Sequence, residues 1–290
     1  MLVDALQALT GVGFDISQYQ YTGFGSVYFV DFVLFHKYLG IRRMWTIEHD
    51  LAIRKRVRFN QPFSFVKIFM SDAGEVLARL PLNRKHLLWL DYDGPILSTL
   101  AEHVYLATSR LPVGSILLVT VDVEPPVKGG GPKDSEQHFV GEVERYLPAR
   151  PRFVASSIPQ LNVDILARIF DSAVAGRDGI SFQPIFSFLY KDGHEMLTMG
   201  GMLVTRQEQG LLQGLRSQVQ NEKWYLRFSW KEPPCKIVVP HLTRKERIFL
   251  EGSMPAAKGW TPKSFELSED DVEAYRRIYR FYPVYAELFF

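Results

Sequence analysis

The sequence has a single cysteine, Cys235, in 290 residues. It can therefore form no internal disulfide and no cysteine-only metal site, and the lack of a partner thiol fits a reducing compartment, so a cytoplasmic location is expected. It has no uninterrupted apolar run near the roughly 20 residues that a membrane helix needs. Its first ten residues carry Asp4 in a short apolar stretch and do not read as a secretory signal. Neither charge is in excess, with 34 Lys and Arg against 32 Asp and Glu. A polyanionic partner such as nucleic acid must then be argued from local patches, not from the field of the whole molecule. Internal repeats are also missing. What the chain has in quantity is apolar side chains, 47% of its residues, which is enough for a substantial core.

Those apolar residues are ordered in alternating segments. The pattern predicts a short helix over 2–9, a strand end at 20–22, a helix over 26–38 closed by Gly40, and a strand over 44–47. A helix follows from an Asp50 cap to about 59, with Leu51, Ile53 and Val57 inward, then a strand over 65–70 and a short helix over 75–80. The run 86–90 is apolar enough to be buried on both faces and should be central. A helix from Gly94-Pro95 to about 110, with Pro95 in its first turn, leads to a fifth strand over 116–121. Strands and helices alternating at this spacing predict a parallel α/β sheet. The rhythm then changes, because the β-rich runs 185–190 and 196–204 flank Lys191-Asp192-Gly193-His194, a hairpin signal. The mostly parallel sheet is thus expected to end in an antiparallel pair.

Residues 125–132, Pro-Pro-Val-Lys-Gly-Gly-Gly-Pro, read as a mobile loop over the crevice. Beyond Arg206 the alternation stops. Thr243-Arg244-Lys245-Glu246 matches a capping box, and Ser268 followed by acids starts a last helix that ends before Pro283. The expected division is a sheet domain over 1–205 and a mainly helical C-terminal appendage over 206–290. Its aromatic residues, Trp224, Tyr225, Trp230, Tyr275 and Tyr285 among them, need a further surface, either the main domain or a second subunit of a homodimer.

Several residues could carry chemistry. Gly23 and Gly25 would let the backbone approach a ligand closely and leave amides at a helix start, or they only make a turn. Glu48 lies about 20 residues on at the next strand's end, the place for a carboxylate that binds ribose hydroxyls, so a nucleoside-like cofactor is expected. The third glycine of a dinucleotide fingerprint is replaced by Tyr28, which counts against NAD. Asp91 and Asp93 end a later strand, where they could position an acceptor, act as a base or bind a divalent ion with Asp122 and Glu124; Asp93 could equally cap the following helix. His49 is a base or an ordinary loop histidine. No His and Cys spacing suggests zinc. The basic run Arg54, Lys55, Arg56, Arg58 reads as a solvated helix face, and the tyrosines among Arg276, Arg277 and Arg280 as packing residues before a nucleic-acid stack.

The run Tyr21-Thr22-Gly23-Phe24-Gly25-Ser26, with Glu48, Met70-Ser71-Asp72-Ala73-Gly74 and Trp89-Leu90-Asp91-Tyr92-Asp93, resembles the class I S-adenosylmethionine-dependent methyltransferases over about residues 19–204. The resemblance implies a Rossmann-like sheet with S-adenosylmethionine held by Gly23, Phe24, Gly25 and Ser26, by Glu48 at the ribose, by Asp72 at the adenine and by Asp91. Asp91, Asp93 and His49 are then the catalytic candidates, and no metal ligand set is assigned. The first loop departs from the family in lacking an acid and an extra glycine. Asp91-Tyr92-Asp93-Gly94 is also unlike the Asn/Asp-Pro-Pro-aromatic wording of nucleobase amino methyltransferases, which makes DNA amino methylation unfavoured. Over its whole length the chain resembles a bacterial group described only as putative O-methyltransferases, sharing Gly-Phe-Gly-Ser, Asp-Tyr-Asp-Gly and Tyr-Arg-Phe-Tyr-Pro. That implies methyl transfer to an oxygen of an unknown acceptor. A catalytically silent nucleotide-binding or protein-interaction module is the rival reading.

Overall fold

The computed structural model describes residues 1–124, 132–219 and 222–282. By compactness they fall into two units, Met1–Cys235 and Lys236–Phe290.

The first unit is built on strands β1 (Gln20–Phe24), β2 (Arg43–Glu48), β3 (Val66–Met70), β4 (His86–Asp91), β5 (Ile116–Asp122), β6 (Ile180–Asp192) and β7 (His194–Thr205), with β8 (Cys235–Lys236) at its end. Their order in the sheet is β3-β2-β1-β4-β5-β7-β6-β8. β1 to β5 pair in parallel, whereas β7 runs antiparallel to both β5 and β6. The expected mostly parallel sheet ending in a hairpin is therefore present. The hairpin turns at Gly193, where φ is 73° and Asp192 pairs with His194. β4 and β5 are buried along nearly their whole length because helices cover both faces.

The helices of this unit are α1 (Leu2–Gly11), α2 (Val30–Leu39), α3 (Arg54–Phe59), α4 (Ala73–Ala78), α5 (Ser98–Arg110), α6 (Pro132–Val143), α7 (Ile158–Val174) and α8 (Arg206–Val219). Leu77, Val104, Phe139, Ile165 and Phe170 from α4 to α7 form one core with Leu88, Leu90, Val119 and Leu197 of the sheet. On the other face, Tyr21 packs edge-on to Phe32 and Phe35 of α2, with ring centroids 4.8 Å apart in both pairs.

Several local readings are corrected. α2 begins at Val30, not near Ser26, because Phe29 is fully buried in a left-handed conformation (φ 50°) that delays the helix. α5 begins at Ser98, with Leu97 in the cap position, so Pro95 is not its first residue and Asp93 does not cap it. There the ladder continues past β4: Tyr92 N donates to Thr120 O and Asp122 N to Gly94 O, which keeps the chain extended. Leu51 is exposed rather than inward. The loop 125–132 falls, except for Pro132 at the start of α6, outside the described residues, as does Tyr285.

The compact division lies at Cys235, beyond the expected boundary at 205. α8 buries Leu212, Leu215 and Val219 and packs on β6 and β7. Lys223 Nζ makes a 2.7 Å ion pair with Asp4, and Trp230 stacks on Phe170 and Phe182 with centroids 6.1 and 6.4 Å away. The second unit carries α9 (Arg244–Ser253), started by the Thr243/Glu246 capping box, and α10 (Glu269–Ile278), capped by Ser268. Tyr275 is buried there, 5.3 Å from the Tyr282 ring, and Arg276 is engaged by Glu273 at 2.6 Å, so this segment is a packed helix rather than an open stacking platform.

Candidate functional site

β1 is the switch point of the sheet: the chain leaves it for β2 on one side and later returns to β4 on the other. Helices diverge at such a point and leave a crevice beyond the carboxyl ends. Phe24, Glu48 and Asp91 end the three strands that meet there.

Two glycines set the acids of this edge. Gly23 lies in β1, and a Cβ on it would stand 2.2 Å from the Tyr21 hydroxyl and 3.3 Å from Asp31 Oδ2. The space it leaves is filled by Tyr21, whose hydroxyl donates to the Asp31 carboxylate. Gly25 donates its amide to Ile47 O, and a Cβ there would meet Glu48 Cβ at 2.9 Å and Ile47 O at 3.0 Å. Each glycine thus fixes one carboxylate, Asp31 or Glu48. Neither sits at a helix start, since α2 begins at Val30. Ser26 accepts from Tyr28 N at 3.0 Å and closes the intervening turn.

Asp31 is the residue that reading the sequence missed. Burial pushes its carboxyl up to about 6, against the lowering effect of the Tyr21 hydrogen bond and of the amides of Asp31 and Phe32, while Asp91 adds to the rise. Asp91 also acts on Tyr21, whose hydroxyl is raised well above its ordinary value chiefly by burial and then by Asp31. Asp91 itself is exposed at the strand end. The available signal was an acid at the head of an otherwise aromatic helix.

Glu48 is 8% exposed; its Oε1 accepts from Asp50 N at 2.9 Å and lies 3.7 Å from His49 Nδ1. The His49 side chain is 88% exposed and stands on the β2 side, while Asp91 and Asp93 belong to the β4 end.

On the opposite face a second group forms. The Phe24 ring meets Tyr92 edge-on at 4.8 Å, and the Tyr92 hydroxyl is 2.7 Å from His103 Nδ1. His103 Nε2 lies 3.8 Å from Asp72, which also caps α4 by accepting from Gly74 N at 2.7 Å. Burial and then Asp72 raise the Tyr92 hydroxyl above its ordinary value. Phe24, Asp72 and Tyr92 are brought together by a histidine on α5 that no local pattern singled out.

Along the edge beyond β4, Asp93 is exposed. Asp122 accepts from Glu124 N at 2.7 Å, and His194 of the hairpin lies 3.4 Å from Asp122 and 3.2 Å from Glu124. Among the described residues no group of three or more His, Cys, Asp or Glu is disposed to hold a metal ion. Arg54, Lys55, Arg56 and Arg58 point to solvent from α3, with Val57 inward. The crevice edge therefore carries carboxylates on β2, α2, β4 and β5, an arrangement suited to hydroxyl donors, to a cation and to accepting a proton.

Residues 1–290 match the model of the family described as putative O-methyltransferase. No curated protein matches the chain. Among solved structures, Trm1 from Pyrococcus horikoshii in complex with S-adenosyl-L-methionine is similar at 14% identity over 71% of this chain and 56% of that one, with a TM-score of 0.45. This chain thus spans just over half the length of that relative. The O-methyltransferase TomG from Streptomyces achromogenes is similar at 15% identity over 68% and 78% of the two chains, with a TM-score of 0.39. For an O-methyltransferase structure from Klebsiella pneumoniae, described as putative, the figures are 12%, 69%, 79% and 0.38.

Proposed function

The chain belongs to the family of putative O-methyltransferases, and from that premise we propose that its crevice binds S-adenosylmethionine and serves methyl transfer to an oxygen of an acceptor. The observation that carries this reading is that Glu48 and Asp91 end the two strands flanking β1, so carboxylates stand on both sides of the switch point. The residues fit the cofactor's chemistry: it brings ribose hydroxyls, a cationic sulfonium centre and a transferable methyl group. Glu48 would accept from the ribose hydroxyls, with Asp72 beside the adenine. Asp31 and Asp91 would supply the negative charge that favours the cationic end.

The work left to the protein is mainly alignment of acceptor and methyl group. Asp91 or Asp93 at the β4 end would take the proton that the acceptor hydroxyl loses, and a weak base is enough for this. His49 projects to solvent beside Glu48 and would at most shape the cofactor edge. A reducing cytoplasmic setting is supported by the single, buried Cys235. Calorimetric titration with S-adenosylmethionine, followed by transfer of labelled methyl to small molecules of a cell extract, tests the proposal. In Asp91→Asn a modest loss of cofactor affinity is expected, together with a fall in transfer that saturating cofactor does not restore. Absence of binding at millimolar cofactor would sink it.

A further inference from the structure

At the other edge of the sheet, by the amino ends of β1, β2 and β3, lies a cavity of about 280 Å³ lined by Gln20, Arg42, Arg43, Trp45, Lys67 and Arg84 among others. Gln20 opens β1 and Phe24 closes it, so at roughly 3.3 Å per residue the cavity stands about 13 Å from the crevice just described. Four of its side chains are cationic, and among the described residues no carboxylate lines it. The contacts of these cations are with neutral groups: Arg43 Nη1 is 3.4 Å from both Gln18 O and Gln18 Oε1, and Arg84 Nε is 3.4 Å from Asn83 Oδ1. Positive charge concentrated without acids is costly in the empty protein and favours an anion.

The floor provides a second, independent sign. Gln20 is 1% exposed, and its Nε2 has no hydrogen-bond partner among the described residues. A buried amide is almost always satisfied, and this unsatisfied one belongs to a residue that lines the cationic cavity, next to where an acceptor oxygen would enter. The wall adds a third. Trp45 is half-buried with its ring 4.6 Å from Phe69, and Phe65 lies on the same cavity, so a flat apolar surface adjoins the charges. The volume suits a small molecule and is too small for a folded or polymeric partner to enter. Arginine forks match the oxygens of a phosphate group, which two of them can grip at once.

We propose that this cavity binds a small organic phosphate with a flat, apolar body, of the nucleoside monophosphate class. The phosphate sits among Arg42, Arg43, Lys67 and Arg84, with the Gln20 amide turning to donate to one oxygen, and the flat body lies against Trp45 and Phe65. The site is separate from the crevice and does not depend on the chemistry assigned there.

The test is calorimetric titration of the full-length protein with uridine 5′-monophosphate in excess S-adenosylmethionine, with uridine and inorganic phosphate titrated alongside. One-to-one binding of the monophosphate, at least roughly tenfold tighter than either fragment, is expected. Arg42 and Arg43 are exposed, so the double variant Arg42→Ala/Arg43→Ala should keep its thermal midpoint and lose about tenfold or more in affinity. Gln20→Met should weaken binding while leaving the ligand-free protein as stable or more so, because it removes an unsatisfied donor. No binding of the monophosphate at millimolar concentration, or affinity unchanged in the double variant, overturns the proposal.

Discussion

Gly25 is packed onto Glu48: the glycine amide donates to Ile47 O, and a Cβ at position 25 would come within 2.9 Å of the glutamate Cβ. The glycine leaves room for the carboxylate that faces it. A larger residue must push the end of β2 aside, because one of the obstacles is backbone.

Gly25→Val should therefore lower affinity for S-adenosylmethionine by roughly tenfold or more, through displacement of Glu48, and lower the thermal midpoint at the same time. Titration and melting of the same preparation check both. A folded variant with the wild-type dissociation constant would show that the contact has no bearing on the cofactor.

Glu48→Gln separates charge from packing. The amide oxygen can still accept from Asp50 N, which Glu48 does at 2.9 Å, so stability should change little. Hydrogen bonds to a charged acceptor are worth about 1.5–3 kcal/mol, so the dissociation constant for the cofactor should rise roughly tenfold. Equal affinities for the two proteins would take Glu48 out of the site.

Asp31 predicts a pH dependence of stability. Its folded-state value of about 6 lies above the ordinary 3.8, so protonation favours the fold. The contribution is full below pH ~4, fades as the pH rises through about 6, and is gone above it. Asp31→Asn keeps an acceptor for the Tyr21 hydroxyl and removes the charge. It should be more stable than the wild type at pH 8, by as much as about 3 kcal/mol, with the gap closing toward pH 4. Denaturant titrations across that range read it, and a constant gap at all pH values would contradict the raised carboxyl.

Trp230 ties the segment after α8 to the main core by stacking on Phe170 and Phe182. Trp230→Ala should cost about 2–3 kcal/mol, below the figure for a fully buried tryptophan because the residue is only partly buried. A chain ended at residue 206 also loses Tyr225, which is fully buried, and should not fold to a soluble monomer. A cooperative unfolding transition for that shorter chain, at the midpoint of the full-length protein, would return the boundary to 205.

The sequence by itself determined the parts whose cause is local. The apolar run at β4 needs both faces covered, Asp192-Gly193 turns a hairpin, and Thr243 with Glu246 and Ser268 with its acids cap helices; each rests on residues a few positions apart. Glu48 and Asp91 were legible for the same reason, since each is the first acid after an apolar strand. Only the tertiary structure decided the rest. Asp31 becomes a buried acid because α2 folds its first turn over Gly23 of β1, and His103 joins Asp72 to Tyr92 because α5 lies across α4. α7 drew no local notice and supplies much of the core, and residues 206–235 join the first unit through partners as distant as Asp4 and Phe170. These pairings join different elements, from 10 residues apart for Tyr21 with Asp31 to 219 for Asp4 with Lys223, and burial and charge at such places are set by what the fold brings alongside, which no single element contains.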